Sequence, residues 1–332
     1  MGRLKTHVRK NSKQYFLLGF LLVLIAVMSL LAPGKFLTVR NFKNMGFQMA
    51  EFGILAIGMS VVIMTGGINL SLVNSAMLGA IASATVMRSL NQAQAMGDVF
   101  IILIGILTVL AVSILCGIAN GYFVAYVGVV PLLVTLGTKT VFDGISLNIT
   151  RGSAISGFPT VFQRIGAGSI FDIPYPMLVY VAVILVAWFL VERTPWGINI
   201  YMVGGNEKAT RFSGINTKSV LMRVYIFSAV MAGIAGILMT SRYNSARADY
   251  GSSYTLQAVA ATVLGGTAIT GGSGHILGTV NAVFILQVIS SGFNIIGINR
   301  NITDIVTGLI LIAVLSFNYL SSRDRAGKTM KT

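Results

Sequence analysis

Residues 193–223, which read RTPWGINIYMVGGNEKATRFSGINTKSVLMR, form the only long polar and charged insert between two apolar runs of the chain. The flanking runs, roughly residues 176–192 and 223–241, are each long enough to cross a membrane as a helix. The insert carries five basic residues and one acid: Arg193, Lys208, Arg211, Lys218, Arg223 and Glu207. Because Lys and Arg accumulate in cytoplasmic loops, the sequence predicts that this insert faces the cytoplasm.

The composition of the whole chain indicates a lipid environment. Of the 332 residues, 55% are hydrophobic and only 10% are charged, and the mean hydropathy is +0.82. A soluble domain has about 25% charged residues, so this chain cannot cover itself with a polar surface. Its 37 glycines are typical of closely packed transmembrane helices. We therefore predict an all-α polytopic membrane protein.

The net charge of +15 could also indicate a nucleic-acid-binding protein. The basic residues, however, cluster in three places: residues 3–13, the insert and residues 323–331. Clusters that flank apolar runs follow the positive-inside rule of membrane proteins. We therefore expect the chain to lie in a membrane and to bind no nucleic acid.

Ten apolar stretches are candidate transmembrane helices, some of them short or broken. They are residues 15–32, 46–65, 70–88, 99–126, 129–148, 176–192, 223–241, 256–270, 275–293 and 303–320. With the N-terminus inside, both tails and the insert fall on the cytoplasmic side, which then holds 14 Lys and Arg against nine outside. The sequence thus predicts one transmembrane domain, residues 1–332, with both termini inside. Its cytoplasmic parts would be residues 1–14, 193–222 and 321–332.

No catalytic chemistry is visible in the sequence. The nearest approach to a phosphate-binding P-loop is Gly327-Lys328-Thr329, but Ser322 stands where that motif needs its first glycine. Two histidines, His7 and His275, and one cysteine give neither a metal-ligand cluster nor a catalytic triad. We expect no enzyme activity, no metal and no cofactor in this chain, and any ATP to be bound by a partner chain.

Two glycine-rich stretches interrupt apolar runs: MTGGINLSLVNSAMLGA (64–80) and VLGGTAITGGSGHILG (263–278). A broken helix at membrane depth is tolerated where it is buried in protein or lines a watery cavity, and such breaks often build a substrate site. Tight helix packing around a short turn is the alternative. The candidate substrate-pathway residues are Gly66, Gly67, Asn69, Ser71, Asn74, Gln257, Thr262, Gly265 and Gly266.

Polar residues inside the predicted spans give a further indication of the ligand. Glu51, Asp143 and Asp304 lie near predicted span ends, where interfacial water can solvate them. Lys139 precedes Asp143 by four residues, so the two are expected to be neighbours on a helix and to neutralise each other. The Asn and Gln side chains each offer a donor and an acceptor, which suits a neutral, hydroxyl-rich ligand such as a sugar.

Residues 206–214 predict a short helix within the insert. Asn206 can cap its N-terminus and Gly214 can end it. Phe212 and Ile215 would then form an apolar knob beside charged side chains, as a docking helix needs. An amphipathic turn on the membrane surface is the alternative interpretation.

Four stretches carry a family resemblance: MTGGINLS (64–71), GGNEKATRFSGIN (204–216), VYIFSAVMAGIAGILMTSRYNSA (224–246) and LQAVAATVLGGTAITGGSGHILGT (256–279). Together they resemble the ribose-type ABC sugar permeases, and the second stretch looks like the cytoplasmic coupling segment of that family. The resemblance covers most of the chain in order and is strongest from about 197 to 300. It implies a permease of the bacterial cytoplasmic membrane. Such a permease works with a second copy or a paralogue, a separate ABC ATPase subunit, and a periplasmic or lipid-anchored sugar-binding protein.

The resemblance also assigns residues by position. Ten residues match the family's contact with the ATPase: Gly205, Asn206, Glu207, Ala209, Thr210, Arg211, Phe212, Ser213, Gly214 and Ile215. Gly66, Gly67, Asn69, Leu70 and Ser71 match its front glycine motif. The family commonly has an aspartate where this chain has Asn69, and a Val-Gly pair after the serine. These departures leave open which solute is carried and whether the two permeases are identical.

We therefore predict a translocation subunit for a simple, ribose-like sugar. A nucleoside or a branched-chain amino acid is the alternative cargo, although a bound amino acid needs partners for both of its charges. An ion-coupled secondary transporter is the alternative from another class, and it would need buried acids near the middle of the membrane. A structural membrane protein without cargo is disfavoured, because broken polar spans are costly in lipid.

Overall fold

The structure is a computed structural model, and it describes residues 12–94, 96–299 and, between 301 and 316, all except 304, 311, 314 and 315. Residues 1–11 of the predicted N-terminal tail, the predicted C-terminal tail and eight of the 18 residues of the tenth predicted span, Asp304 among them, lie outside these described residues.

Helices dominate the described part of the chain. They are α1 (Ser12–Leu31), α2 (Val39–Met64), α3 (Leu72–Gln92), α4 (Asp98–Tyr122), α5 (Pro131–Thr150), α6 (Thr160–Ala167), α7 (Tyr175–Arg193), α8 (Pro195–Gly205), α9 (Glu207–Phe212), α10 (Thr217–Tyr243), α11 (Tyr254–Leu264) and α12 (Ile276–Ile296). A wide π-helical turn, Phe123–Val127, extends α4, and a further helical stretch covers Asn301–Ile310. Two short antiparallel strands, β1 (Ser169–Ile170) and β2 (Ile173–Pro174), precede α7.

Five of the described helices are long and apolar enough to cross a membrane: Val39–Met64, Asp98–Val127, Tyr175–Arg193, Thr217–Tyr243 and Ile276–Ile296. Each coincides with one predicted span. The other predicted spans fall on helices that are shorter or more polar, so the count of ten stays a prediction. An all-α membrane protein is confirmed by this architecture.

Helix α2 is the centre of the bundle. Every residue from Met49 to Met64 is buried, and α7, α10, α11 and α12 all pack against it. A helix that is apolar on all sides is stable only when neighbours surround it. Gly53 lets α7 approach closely, since a Cβ at this position would lie 2.4 Å from the Tyr180 ring.

The start of α2 differs from the prediction. The helix begins at Val39 rather than near residue 46, because Thr38 caps it by accepting a hydrogen bond from the Asn41 backbone N–H at 3.2 Å. Arg40 and Lys43 lower the hydropathy of this first part, which hid the true start. Glu51 therefore lies in the middle of α2 and not near a span end.

The helices α4, α5 and α7 present apolar side chains to the outside. Large exposed examples are Leu103, Leu107 and Leu115 on α4, and Leu185 and Phe189 on α7. Exposed apolar surface of this extent is the surface that lipid or a partner protein covers. It agrees with a membrane as the solvent of this bundle.

Filling the space at Gly53 should destabilise the bundle. We expect Gly53→Val to lower the free energy of unfolding by about 1–3 kcal/mol, because a side chain there must displace Tyr180. Thermal unfolding in detergent measures this effect. Gly137→Val on α5 is the matched control, since no atom lies within 4 Å of a Cβ at that position. An unchanged melting temperature for Gly53→Val would contradict the packing described for α2 and α7.

Candidate functional site

The predicted docking helix is present as α9, and its two ends are those expected from the sequence. Asn206 caps the helix by accepting a hydrogen bond from the Ala209 backbone N–H at 3.0 Å. Gly214 follows the helix with a φ of +83°, a conformation that glycine adopts without strain. Glu207 in the first turn and Arg211 in the last turn both oppose the helix dipole favourably.

The α9 helix offers a surface rather than a pocket. The side chain of Phe212 is 92% exposed, and Glu207, Lys208 and Arg211 are exposed around it. Among the ten residues predicted to contact an ATPase, only Thr210 is buried. Its hydroxyl lies 2.8 Å from the Met202 carbonyl oxygen, which ties α9 to α8.

The backbone at the end of α8 touches two other segments directly. We call Met64, Gly66, Gly204, Gly271 and Gly272 the glycine joint. The Gly272 N–H donates to the Met64 carbonyl at 2.9 Å. A Cβ on Gly204 would lie 2.0 Å from that carbonyl oxygen, and one on Gly271 would lie 2.7 Å from the Gly66 nitrogen. Only glycine allows these backbones to approach so closely.

Side chains reinforce the glycine joint. The hydroxyl of Tyr201 on α8 donates to the Gly274 carbonyl at 2.9 Å. Burial and the nearby negative charge of Glu192 raise the pKa of Tyr201 to about 12, so its hydroxyl keeps the proton that it donates. A Glu192 oxygen accepts from the Ile276 N–H at 3.3 Å. The turn at 265–275 is therefore held to both α7 and α8.

The front glycine motif belongs to a buried polar network. Asn69 donates to the Ser228 hydroxyl at 3.1 Å and accepts from Ser71 at 2.9 Å. Asn120 donates to the Ser71 hydroxyl at 2.8 Å and accepts from Thr138 at 2.7 Å. The Asn69 amide donates one hydrogen bond and accepts another here, whereas an ionised aspartate in its place could only accept. The network joins the α2–α3 turn to α4, α5 and α10.

The predicted pairing of Lys139 with Asp143 on α5 is not found. Among the described residues, no ion pair joins Lys139 to Asp143. Asp143 instead accepts a hydrogen bond from the Asn74 amide at 3.4 Å. The expected pairing by helical spacing is therefore wrong, because a partner on α3 lies within reach of this carboxylate.

The predicted pathway residues do not form one site. Gly66 lies in the glycine joint, and Gly67, Asn69, Ser71 and Asn74 lie at or beside the buried network. The side chain of Thr262 is buried and donates to the Ala258 carbonyl at 2.8 Å, and Gly265 packs on Gly278. Gly266 follows in the same turn. Gln257 is separate from all of these, near the other end of the bundle.

An ion pair at that other end was not predicted. Glu51 on α2 is fully buried, and its carboxylate oxygens lie 2.7 and 2.8 Å from two nitrogens of Arg242 on α10. The Arg242 guanidinium also lies over the Tyr243 ring, 4.6 Å from its centre. The pair neutralises both charges within the core. The two residues are 191 positions apart in the chain, so no local pattern could indicate their contact.

A cavity of about 240 Å³ opens beside this ion pair, and we call it the distal cavity. Its lining comes from α2, α10, α11, α12 and the Asn301–Ile310 stretch, and it includes Gln48, Phe52, Arg242, Gln257 and Gln287. Of the predicted pathway residues, Gln257 alone lines it. Glutamines within apolar runs indicated a polar site in the membrane, but the sequence did not predict which glutamines line the same cavity.

The family model described as "Branched-chain amino acid transport system / permease component" matches residues 41–315. The chain belongs to this permease family. The ribose import permease protein RbsC of Bacillus subtilis is 38% identical over 304 residues, which are 89% of this chain and 89% of that protein. RbsC of Escherichia coli is 36% identical and covers 90% of this chain and 91% of its own length. The D-allose transport system permease protein AlsC of Escherichia coli is 32% identical, with 91% and 90% covered.

No solved structure matches the chain. The matched region of the permease family includes α9, the glycine joint and the distal cavity. The family resemblance drawn from the sequence motifs is confirmed by these comparisons, and the chain is a transport permease rather than a catalytic enzyme.

A methyl group at Gly204 should disturb the glycine joint. We expect Gly204→Ala to cost about 1–3 kcal/mol of unfolding free energy, because its Cβ meets the Met64 carbonyl. Gly205→Ala is the matched control, since a Cβ there meets no atom within 4 Å. Intrinsic tryptophan fluorescence during unfolding, with Trp196 on α8 as the nearby reporter, measures both variants. Equal unfolding midpoints for the two would show that the joint is not tightly packed.

Removing one partner of the buried ion pair should cost more than removing both. We expect Arg242→Met to destabilise the protein by about 3–5 kcal/mol, because Glu51 is left buried without a counter-charge. The double variant Glu51→Met with Arg242→Met should recover much of that loss. Chemical unfolding in detergent, followed by circular dichroism, gives the comparison. If the loss of unfolding free energy in the double variant equals the sum of the losses in Glu51→Met and Arg242→Met, the two side chains do not interact directly.

Proposed function

We propose that this chain is the membrane-spanning permease subunit of a bacterial ABC importer that carries a simple, ribose-like monosaccharide. An extracytoplasmic binding protein, periplasmic or lipid-anchored, delivers the sugar. A separate ATPase subunit binds and hydrolyses the ATP, and the permease itself has no cofactor. The single observation that carries this proposal is the similarity to ribose import permeases over nine tenths of the chain.

The geometry of α9 supports docking to the ATPase. A capped helix with a fully presented Phe212, ringed by Glu207, Lys208 and Arg211, has the apolar centre and charged rim of a binding surface. Helix α9 is only six residues long, and Thr210 hydrogen-bonds it to α8, so a displacement of α9 would also displace α8. We assign the residues from Gly205 to Ile215 to this contact.

Through the glycine joint, a displacement of α8 would move the transmembrane helices that contact it. Helix α8 ends at Gly204 and Gly205, against the end of α2 and the 265–275 turn. Backbone contacts of this kind leave no flexible side chain to absorb a displacement. Movement of α9 should therefore shift α2, α11 and α12, which surround the distal cavity at their other ends.

The orientation follows from the same arrangement. We place α9 and residues 193–222 in the cytoplasm of a ten-span protein with both termini inside, in the bacterial inner membrane. Helix α10 has 27 residues and leads from the α9 side to Arg242, a distance of about 40 Å at 1.5 Å per residue. The distal cavity then lies toward the binding protein. The exposed apolar faces of α4, α5 and α7 are covered by lipid and by a second permease, identical or paralogous.

An ion-coupled transporter is less well supported. Coupling to protons or sodium needs an acidic side chain that is available to the ion. Glu51 is the fully buried acid of the described residues, and Arg242 already neutralises it. A branched-chain amino acid would bring two charges into a cavity whose one described charged lining residue is occupied in this way.

Truncating Phe212 should separate the permease from its ATPase. We expect Phe212→Ala to reduce co-purification of the ATPase subunit from native membranes by tenfold or more, which is about 1.4 kcal/mol of binding free energy. Membrane insertion should be normal. Phe171→Ala is the matched control, because Phe171 is 93% exposed near β1 and β2, at the other end of α7.

Quantitative mass spectrometry of the purified complexes measures both variants. An ATPase retained equally by Phe212→Ala and by the wild type would overturn the docking assignment. A chain that purifies without any ATPase, and whose sugar uptake depends on an ion gradient, would overturn the proposed function itself.

A further inference from the structure

The distal cavity has a chemical character that the proposed function does not explain by itself. It lies at the end of α10 opposite α9, within one copy of the chain, and it has a volume of about 240 Å³. A space of this size fits one small molecule and not a chain of several units.

Four of the ten polar residues in the described lining carry amide side chains. Gln48, Gln257, Gln287 and Asn294 come from three different helices and converge on the same space. Gln287 donates to the Gln48 side-chain oxygen at 3.1 Å, which fixes the two amides relative to each other. With that bond made, Gln48 still offers its amide N–H groups and Gln287 its side-chain oxygen, so this pair can both donate to and accept from a hydroxyl-rich ligand.

Aromatic side chains form another part of the lining. The rings of Phe52 and Tyr254 have centres 5.8 Å apart and are tilted by 37°, and Tyr243 lies beside Arg242. An aromatic wall gives apolar contact area, while the polar groups opposite it set the orientation of a ligand. A sugar ring has the same two characters, with C–H groups on its faces and hydroxyls around its edge.

The electrostatics of the cavity favour a neutral ligand. Among the described lining residues, Arg242 is the one that carries a full charge. Its guanidinium is held by both oxygens of Glu51, at 2.7 and 2.8 Å. A charged ligand would find no free counter-charge among the described lining residues, and an unpaired charge in such a site is costly. A neutral, hydroxyl-rich molecule makes no such demand.

The geometry points to the distal cavity as a binding site within a single permease copy for a neutral monosaccharide. The site would hold the sugar after it leaves the binding protein and before the spans move. This inference rests on the proposed function, since it names where the transported solute first contacts the membrane subunit.

Cysteine protection tests the inference. The chain has a single cysteine, Cys116, so Cys116→Ala gives a background without thiols. Ser290→Cys then places a thiol of nearly the same size in the lining of the distal cavity. Ser153→Cys is the matched control, because Ser153 is exposed and does not line the cavity. The rate of labelling by a small maleimide is measured on the permease in nanodiscs, with D-ribose, with D-allose, with L-leucine or with no addition.

We expect a neutral sugar to slow the labelling of Ser290→Cys several-fold and L-leucine to leave it unchanged. The control Ser153→Cys should react at one rate under all four conditions. Labelling of Ser290→Cys that no sugar slows, even at high millimolar concentration, would overturn the inference. Protection by L-leucine alone would do so as well, because it would require a site for charged groups.

A double variant distinguishes failure of the binding site from failure of the proposed importer function. Replacing both hydrogen-bonded amides by groups of similar shape, Gln48→Met with Gln287→Met, should leave folding nearly unchanged. We expect sugar uptake by the reconstituted importer to fall at least tenfold, while the ATPase subunit still co-purifies. Normal uptake by this double variant would overturn the binding site and leave the importer function intact. Absence of sugar uptake by the wild-type complex would overturn the proposed function instead.

Discussion

The contact between backbones at the glycine joint is the constraint on which the rest of this structure depends. The end of α8, the end of α2 and the 265–275 turn meet where Gly204, Gly271 and Gly272 have no side chains to separate them. Helix α9 follows α8 after one residue and lies directly beside this contact. Because the contacting groups are main-chain atoms held by a hydrogen bond from Gly272 to Met64, the connection is short and stiff.

The two ends of the bundle differ in their chemistry. The α9 end has exposed charges and an exposed phenylalanine, which suit a protein partner. The far end has a neutralised ion pair and a cavity lined by amides and aromatic rings, which suit a small neutral solute. The buried network around Asn69 joins the α2–α3 turn to α4, α5 and α10.

Sequence reasoning succeeded where local chemistry determines the structure. The cap of α9 depends on Asn206 and Ala209, three residues apart, and its end depends on Gly214 alone, and both were predicted. It failed where distant segments meet. The pairing of Glu51 with Arg242 spans 191 positions, and the start of α2 depends on Thr38 and not on hydropathy. Glycine-rich stretches were recognised at both 64–80 and 263–278, but their contact with Gly204 is fixed by tertiary packing alone. The functions assigned to α9 and to Gln257 remain predictions.

We propose that α9, α8 and the 265–275 turn move as one body when the ATPase acts. Spin labels on a Cys116→Ala background test it in the assembled importer, with one pair at Ser213 and Ser273 and another at Ser213 and Thr140, all of which are exposed positions. Between the nucleotide-free and ATP-trapped states, we expect the distance between Ser213 and Ser273, which spans the joint, to stay unchanged. We expect the distance between Ser213 and Thr140 on α5 to change. A changed distance between Ser213 and Ser273 would contradict this proposal, because α9 would then move relative to the 265–275 turn and the joint would not hold the two together.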